Sequence, residues 1–174
     1  MARRTAAAAE MTGRLERHVP GVAYGVLDEL TGYAIRRAQL ASLVVFERVV
    51  GGTKFTPQRF SSLVIVEQNP GLTQTRLAEI LGIARSGVML LIDFHEAEGF
   101  VARVPSATDA RAYGLRITPA GRRRLAEVKQ LVLEADRQVA ACLTAAERRK
   151  LAALLEKVGE PPARPARRGR SAPG

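Results

Sequence analysis

Apolar residues recur at helical spacing over most of this chain, and at two short stretches the spacing changes to that of a strand. From Leu27 a stripe runs through Leu30, Ala34, Ala38, Ala41, Val45 and Val49, the i, i+3, i+4, i+7 signature of a long amphipathic helix that Gly51-Gly52 stops. Its other face carries Arg36, Arg37 and Arg48. Thr56-Pro57 supplies a capping hydroxyl followed by proline at the first helical position, which predicts a second helix with Phe60, Leu63 and Val64 inward, ending at Asn69-Pro70-Gly71. Phe100–Val104 and Gly114–Thr118 are branched or alternating, as strands are, and the polar segment between them makes a two-stranded ribbon with a basic tip. Thr118-Pro119 then opens a helix striped by Leu125, Val128, Val132, Ala135, Val139 and Leu143. Thr144-Ala145-Ala146-Glu147 is a capping box, and the helix it starts is lined by Leu151, Leu154, Leu155 and Val158.

The segment from Leu72 to Phe100 is more specific. Two helices meeting at a sharp angle need a small residue where the backbones approach, a turn-former between them and apolar residues that lock the pair. Ala78, Gly82 and Val88 stand at those places, with Leu77, Leu81, Ile83 and Leu91 completing the lock and Thr73 capping the first helix. A helical wheel over residues 84–97 turns Val88, Leu91, Ile92 and His95 inward, and Ser86, Met89, Leu90, Asp93 and Ala97 outward.

A helix, a small helix, a helix-turn-helix, a wing and two closing helices resemble the MarR family of bacterial transcriptional regulators. The residues that carry the likeness are Gly71-Leu72-Thr73-Gln74-Thr75-Arg76-Leu77-Ala78-Glu79-Ile80-Leu81-Gly82, Arg85-Ser86, Glu98-Gly99-Phe100-Val101, Arg103, the Asp109-x-Arg111 motif and Leu115-x-Ile117-Thr118-Pro119-Ala120-Gly121, and it spans roughly residues 25–158. The fold class it implies is mainly α with a small two-stranded β wing, a winged helix-turn-helix flanked by long N- and C-terminal dimerisation helices. The expected layout is a flexible basic arm over 1–20, an N-terminal dimerisation helix over 21–55, the DNA-binding domain over 56–118, C-terminal dimerisation helices over 119–158 and a disordered basic tail over 159–174. The resemblance implies an obligate homodimer with its recognition helices in successive major grooves and its wings over the flanking minor grooves. Independently, the flanking stripes present more apolar surface than a small winged domain covers alone, and uncovered stripes seek a partner. A two-fold dimer reads half-sites about 10 bp apart on a pseudo-palindrome.

Charge agrees with that partner. The 174 residues carry a formal net charge of +10, which favours a polyanion because Lys and Arg that neutralise phosphates release condensed counterions. Residues 160–174 hold four arginines against Glu160, a net +3, so +7 of the +10 lies on residues 1–159. The apolar run Val88–Ile92 is far short of the roughly 20 residues that span a bilayer, and Ala6–Ala9 is too short for a secretory signal. The sequence therefore predicts a cytoplasmic protein with no membrane partner. The lone Cys142 cannot form an intrachain disulfide, and no Cys/His cluster has metal-ligand spacing, so no metal or cofactor is expected.

The expected DNA contacts follow from position. Arg85 and Ser86 are the hydrogen-bonding readers at the start of the recognition helix, whereas Met89 and Leu90, where the family usually has polar or basic residues, can touch thymine methyl groups but neither donate nor accept. Phe94 is a further departure of the same kind. Arg111 at the wing tip suits a narrow minor groove, with Asp109 holding it by a charge-assisted hydrogen bond. Thr73, Gln74, Thr75 and Arg76 at the front of the preceding helix, with Arg103 and Arg116 on the ribbon, are phosphate contacts. His95 reads as a satisfied core histidine, Cys142 as a buried small apolar residue, and Gly51-Gly52-Thr53-Lys54 as a helix stop rather than a phosphate loop.

Members of the family often bind small aromatic or phenolic carboxylates beside the dimer helices. Here Tyr24, Tyr33, Arg36, Arg37 and Phe60 offer aromatic walls and a cation. The resulting expectation is a homodimeric repressor of double-stranded DNA released by such a ligand. The alternative is a dimeric interaction or ligand-binding module of the same fold with weak or no sequence-specific DNA binding. An enzyme is not expected, since two scattered histidines without paired carboxylates offer no converging acid and base.

Overall fold

The computed structural model describes residues 19–105 and 113–158. The chain divides into two units, one ending at Val139 and one starting at Ala140, and each is described by itself. In the first, a short 3-10 turn at Gly25–Glu29 precedes α1 (Thr31–Val50), α2 (Pro57–Gln68), β1 (Leu72–Thr73), α3 (Gln74–Leu81), α4 (Arg85–Ala97), β2 (Val101–Pro105), β3 (Tyr113–Ile117) and α5 (Pro119–Val139); the second holds α6 (Ala145–Val158).

Four of the six α-helix starts among the described residues are set by a threonine placed there. Thr56 and Thr73 accept from the backbone N–H groups of Arg59 and Arg76, closing the first turns of α2 and α3. Thr118 works in two directions, accepting from Gly121 N at 3.0 Å and donating to the carbonyl of Gly99 at 2.7 Å, so it ties the start of α5 to the turn before β2. At α6 the capping box is formed: Thr144 N donates to the Glu147 carboxylate at 2.7 Å and Glu147 N donates back to Thr144 Oγ1 at 3.3 Å. The first helix is shorter than its stripe suggests. Leu30 is extended (φ −86°, ψ 115°), so Leu27 belongs to the 3-10 turn and α1 begins at Thr31, a break that apolar spacing alone does not reveal.

The wing is part of a three-stranded antiparallel sheet, not a two-stranded ribbon, in the order β1-β3-β2. β3 pairs with β2 from Val101 opposite Ile117 to Pro105 opposite Tyr113, and with β1 through Leu72 opposite Leu115 and Thr73 opposite Gly114. Two residues are too few to show alternation, which is why β1 is invisible in the sequence. Gly114 permits the pairing: a Cβ there would sit 2.6 Å from the carbonyl oxygen of Gly71.

One core joins the elements of the first unit. Val50 at the end of α1, Leu63 and Val66 of α2, Leu77 of α3, Val88 and Ile92 of α4, Leu115 of the sheet and Leu125 and Val128 of α5 are all at or near zero exposure. The stripe of α1 is covered unevenly. Val45 and Val49 pack against this core, while Ala34 and Ala38 toward the N-terminal end are exposed.

Candidate nucleic-acid interface

The two helices of the helix-turn-helix are α3 and α4, and their junction is built on Gly82. Its φ of +62° places it in the left-handed region, where a side chain is strained, and the backbone N–H groups of Gly82 and Ile83 return to Glu79 and Ala78 to close the end of α3. α4 then starts at Arg85 behind Ala84, which supplies no side-chain cap, so the N–H groups of its first turn have no side-chain acceptor.

The sides of α4 differ as the wheel predicts. Val88, Leu91, Ile92 and His95 are buried, and Arg85, Ser86, Met89, Leu90, Asp93 and Ala97 are exposed. Met89 and Leu90 keep 50% and 52% of their surface in solvent, large values for apolar side chains in the middle of a helix. Beside Met89, a cleft of about 680 Å³ runs between α3, α4 and the sheet, lined by Thr73, Gln74, Thr75, Arg103, Tyr113 and Leu115.

Arg103 was expected at a phosphate. Its guanidinium makes ion pairs with Asp93 and Glu96 of α4, both at 3.1 Å, and the Gln74 amide, with its oxygen turned inward, accepts from the same group at 3.1–3.2 Å. These groups are partly solvated, so the arrangement adds little stability, but it fixes strand β2 against the recognition helix. Acids three apart on one helix opposite a strand arginine were the signal in the sequence. Arg76 pairs with Glu79 at 2.6 Å along α3. Arg85 and Arg116 are exposed and make no ion pair among the described residues. Asp109 and Arg111, the wing-tip pair, lie outside the described residues.

His95 anchors α4 from behind. Its Nε2 lies 2.9 Å from Ser62 Oγ and 3.1 Å from the carbonyl oxygen of Arg59, and its ring contacts Phe55, Phe94 and Phe100. Burial pushes its pKa down from 6.5 to about 4; the hydrogen bond to the Arg59 carbonyl opposes the shift, and the Arg59 charge adds to it. Phe94 is not a reader. It is half-buried, edge-on to Phe55, with the Arg59 guanidinium 3.7 Å above its ring.

Of the residues expected at a ligand site, Tyr24 and Tyr33 come together with ring centroids 6.3 Å apart. Arg36 is exposed, Arg37 is half-buried, and Phe60 packs against the winged core on α2. Cys142 is exposed rather than buried: it lies beyond the end of α5 at Val139, whose last turn already faces solvent. Among the described residues no group of His, Cys, Asp and Glu could hold a metal ion, and no helix is long and apolar enough to cross a membrane.

The sequence profile of the MarR family matches residues 53–112, from the turn before α2 to the wing. A Thauera aromatica protein named for transcriptional regulation of the hcr operon is 34% identical over 136 residues, covering 78% of this chain and 82% of the relative. The chain belongs to the MarR family. Its fold matches that of the transcriptional repressor CouR bound to a 23-mer DNA duplex, with a TM-score of 0.75 and 34% identity over 80% of this chain and 99% of CouR. CouR bound to p-coumaroyl-CoA matches with a TM-score of 0.72 and 33% identity over 79% and 96%. Membership in the MarR family makes α3 and α4 the helix-turn-helix of a regulator fold, with Met89 and Leu90 exposed on the outer side of α4.

Proposed function

We propose that this MarR-family chain is a homodimeric transcriptional repressor whose α4 enters the major groove of a pseudo-palindromic operator. The observation that carries the reading is the outer side of α4, where Arg85, Ser86, Met89 and Leu90 stand exposed on a helix whose opposite side is buried in the core. Thr73, Gln74, Thr75, Arg76 and Arg116 contact the sugar-phosphate backbone, Arg103 holds the wing in place, and Arg111, supported by Asp109, reaches the minor groove. Residues 21–55 and 119–158 form the dimer; the basic ends 1–20 and 159–174 add charge. The complex of CouR with p-coumaroyl-CoA favours an aromatic acyl or phenolic ligand as the releasing signal, with Tyr24, Tyr33, Arg36, Arg37 and Phe60 as its first candidate contacts.

A salt titration of binding to the DNA upstream of the chain's own coding sequence tests this. The wild type binds tightly at low salt and elutes as a dimer, and Arg111→Ala lowers the affinity and reduces the salt slope by about one unit. A stable monomer, or equal affinity for every duplex at all salt concentrations, overturns the reading.

A further inference from the structure

We propose that Met89 and Leu90 form an apolar reader for the 5-methyl groups of thymine, so that the half-site this chain selects places thymines within about two base pairs of the position read by Arg85. The inference rests on the proposed placement of α4 in the major groove and says what that helix reads there.

Met89 and Leu90 are exposed on the outer side of α4, one turn beyond Arg85 and Ser86. At 1.5 Å of rise per residue, Arg85 to Leu90 spans about 7.5 Å, roughly two base-pair steps. The thymine methyl is the one apolar group that the major-groove edges of the bases present. Guanine and cytosine offer O6, N7 and the N4 amine at the same depth, and pressing these against thioether and isobutyl groups strips their water without returning a hydrogen bond. The pair therefore selects twice, gaining from a methyl and losing from an unsatisfied polar edge.

Two further observations confine the reading to these positions and name the occupant. Asp93, one turn farther along the same side, could accept from a cytosine or adenine amine, but its carboxylate is held by Arg103 at 3.1 Å and Glu96 by the same guanidinium. Arg85, one turn before the pair on the same side of α4, makes no ion pair among the described residues, and the chain carries a formal net charge of +10. An apolar patch beside an unpaired arginine on a cationic chain is complementary to a methyl-bearing polyanion rather than to an apolar peptide.

The experiment selects duplexes from a random-sequence 30-bp library with the full-length protein, then resynthesises the preferred duplex with deoxyuridine in place of thymidine in both half-sites. This removes only methyl groups. The expected result is a loss of about three- to five-fold in affinity for each contacted methyl. In Met89→Ala/Leu90→Ala the same substitution has no effect, while the salt slope stays as in the wild type; both residues are half-exposed, and an unchanged melting curve shows that the variant folds. Indifference of the wild type to uracil overturns the inference and leaves the DNA-binding reading standing. Uracil sensitivity that persists in the variant assigns the effect to duplex shape and also overturns it. Failure of the selection to enrich any sequence overturns the DNA-binding reading itself, and this inference with it.

Discussion

Helices α4 and α6 both carry an apolar stripe at helical spacing, yet only one stripe is covered. Val88, Leu91, Ile92 and His95 of α4 lie at 0–9% exposure, whereas Leu151, Leu154, Leu155 and Val158 of α6 lie at 45–57%. Periodicity reports that a helix has a side to hide and says nothing about what hides it. The winged core completes itself within one chain because α2, α3 and β2 pack on α4. The last helix leaves its leucines to water, and a second subunit is the partner proposed for it.

The contrast can be broken by substitution. Leu63→Ala opens a cavity in the middle of the completed core and is expected to cost about 2–5 kcal/mol, read as a drop in the denaturant midpoint at unchanged slope. The next effect comes from pH. With the His95 pKa lowered from 6.5 in the unfolded chain to about 4 in the folded one, the folded state binds fewer protons in that interval. Stability is therefore full above pH 6.5, falls by about 3 kcal/mol as the pH drops to 4, and levels off below that as far as this group is concerned. In His95→Phe this component of the acid destabilisation disappears; a wild-type curve flat between pH 6.5 and 4 would contradict the buried neutral ring. Gly114→Ala forces β1 away from β3, since its Cβ meets the Gly71 backbone, with about 1–3 kcal/mol lost and faster amide exchange at Leu72 and Thr73.

The smallest local effect is expected in α6. Leu154→Ala removes a half-exposed side chain and changes the stability of the isolated chain by about 0.5 kcal/mol or less. In the proposed dimer the same change makes the melting temperature depend more steeply on protein concentration. A large loss that does not depend on concentration would show that α6 is covered within its own chain.

Much of the site could be read before any coordinates. The capping threonines, Gly82 at the turn, the proline-started helices and the assignment of inward and outward residues on α4 are local consequences of short-range sterics and hydrogen bonding, and all appear where the spacing puts them. Of the residues expected to touch DNA, Arg85, Ser86, Met89 and Leu90 are exposed on α4, and Thr73, Gln74, Thr75 and Arg103 line the cleft beside Met89; Asp109 and Arg111 lie outside the described residues. What escaped were features joining distant positions: the β1–β3 pair, the capture of Arg103 by Asp93 and Glu96, and the Arg59 guanidinium over Phe94.

The sequence by itself determined the order of helices, their polarity and the chemistry on each side, because a helix or a cap is decided by neighbours within a few residues. Only the tertiary structure decided that a wing arginine serves its own fold, that a third strand completes the sheet, and that Cys142 stands exposed beyond the end of α5. Those outcomes depend on which surfaces meet in space, and a one-dimensional pattern holds no record of distance.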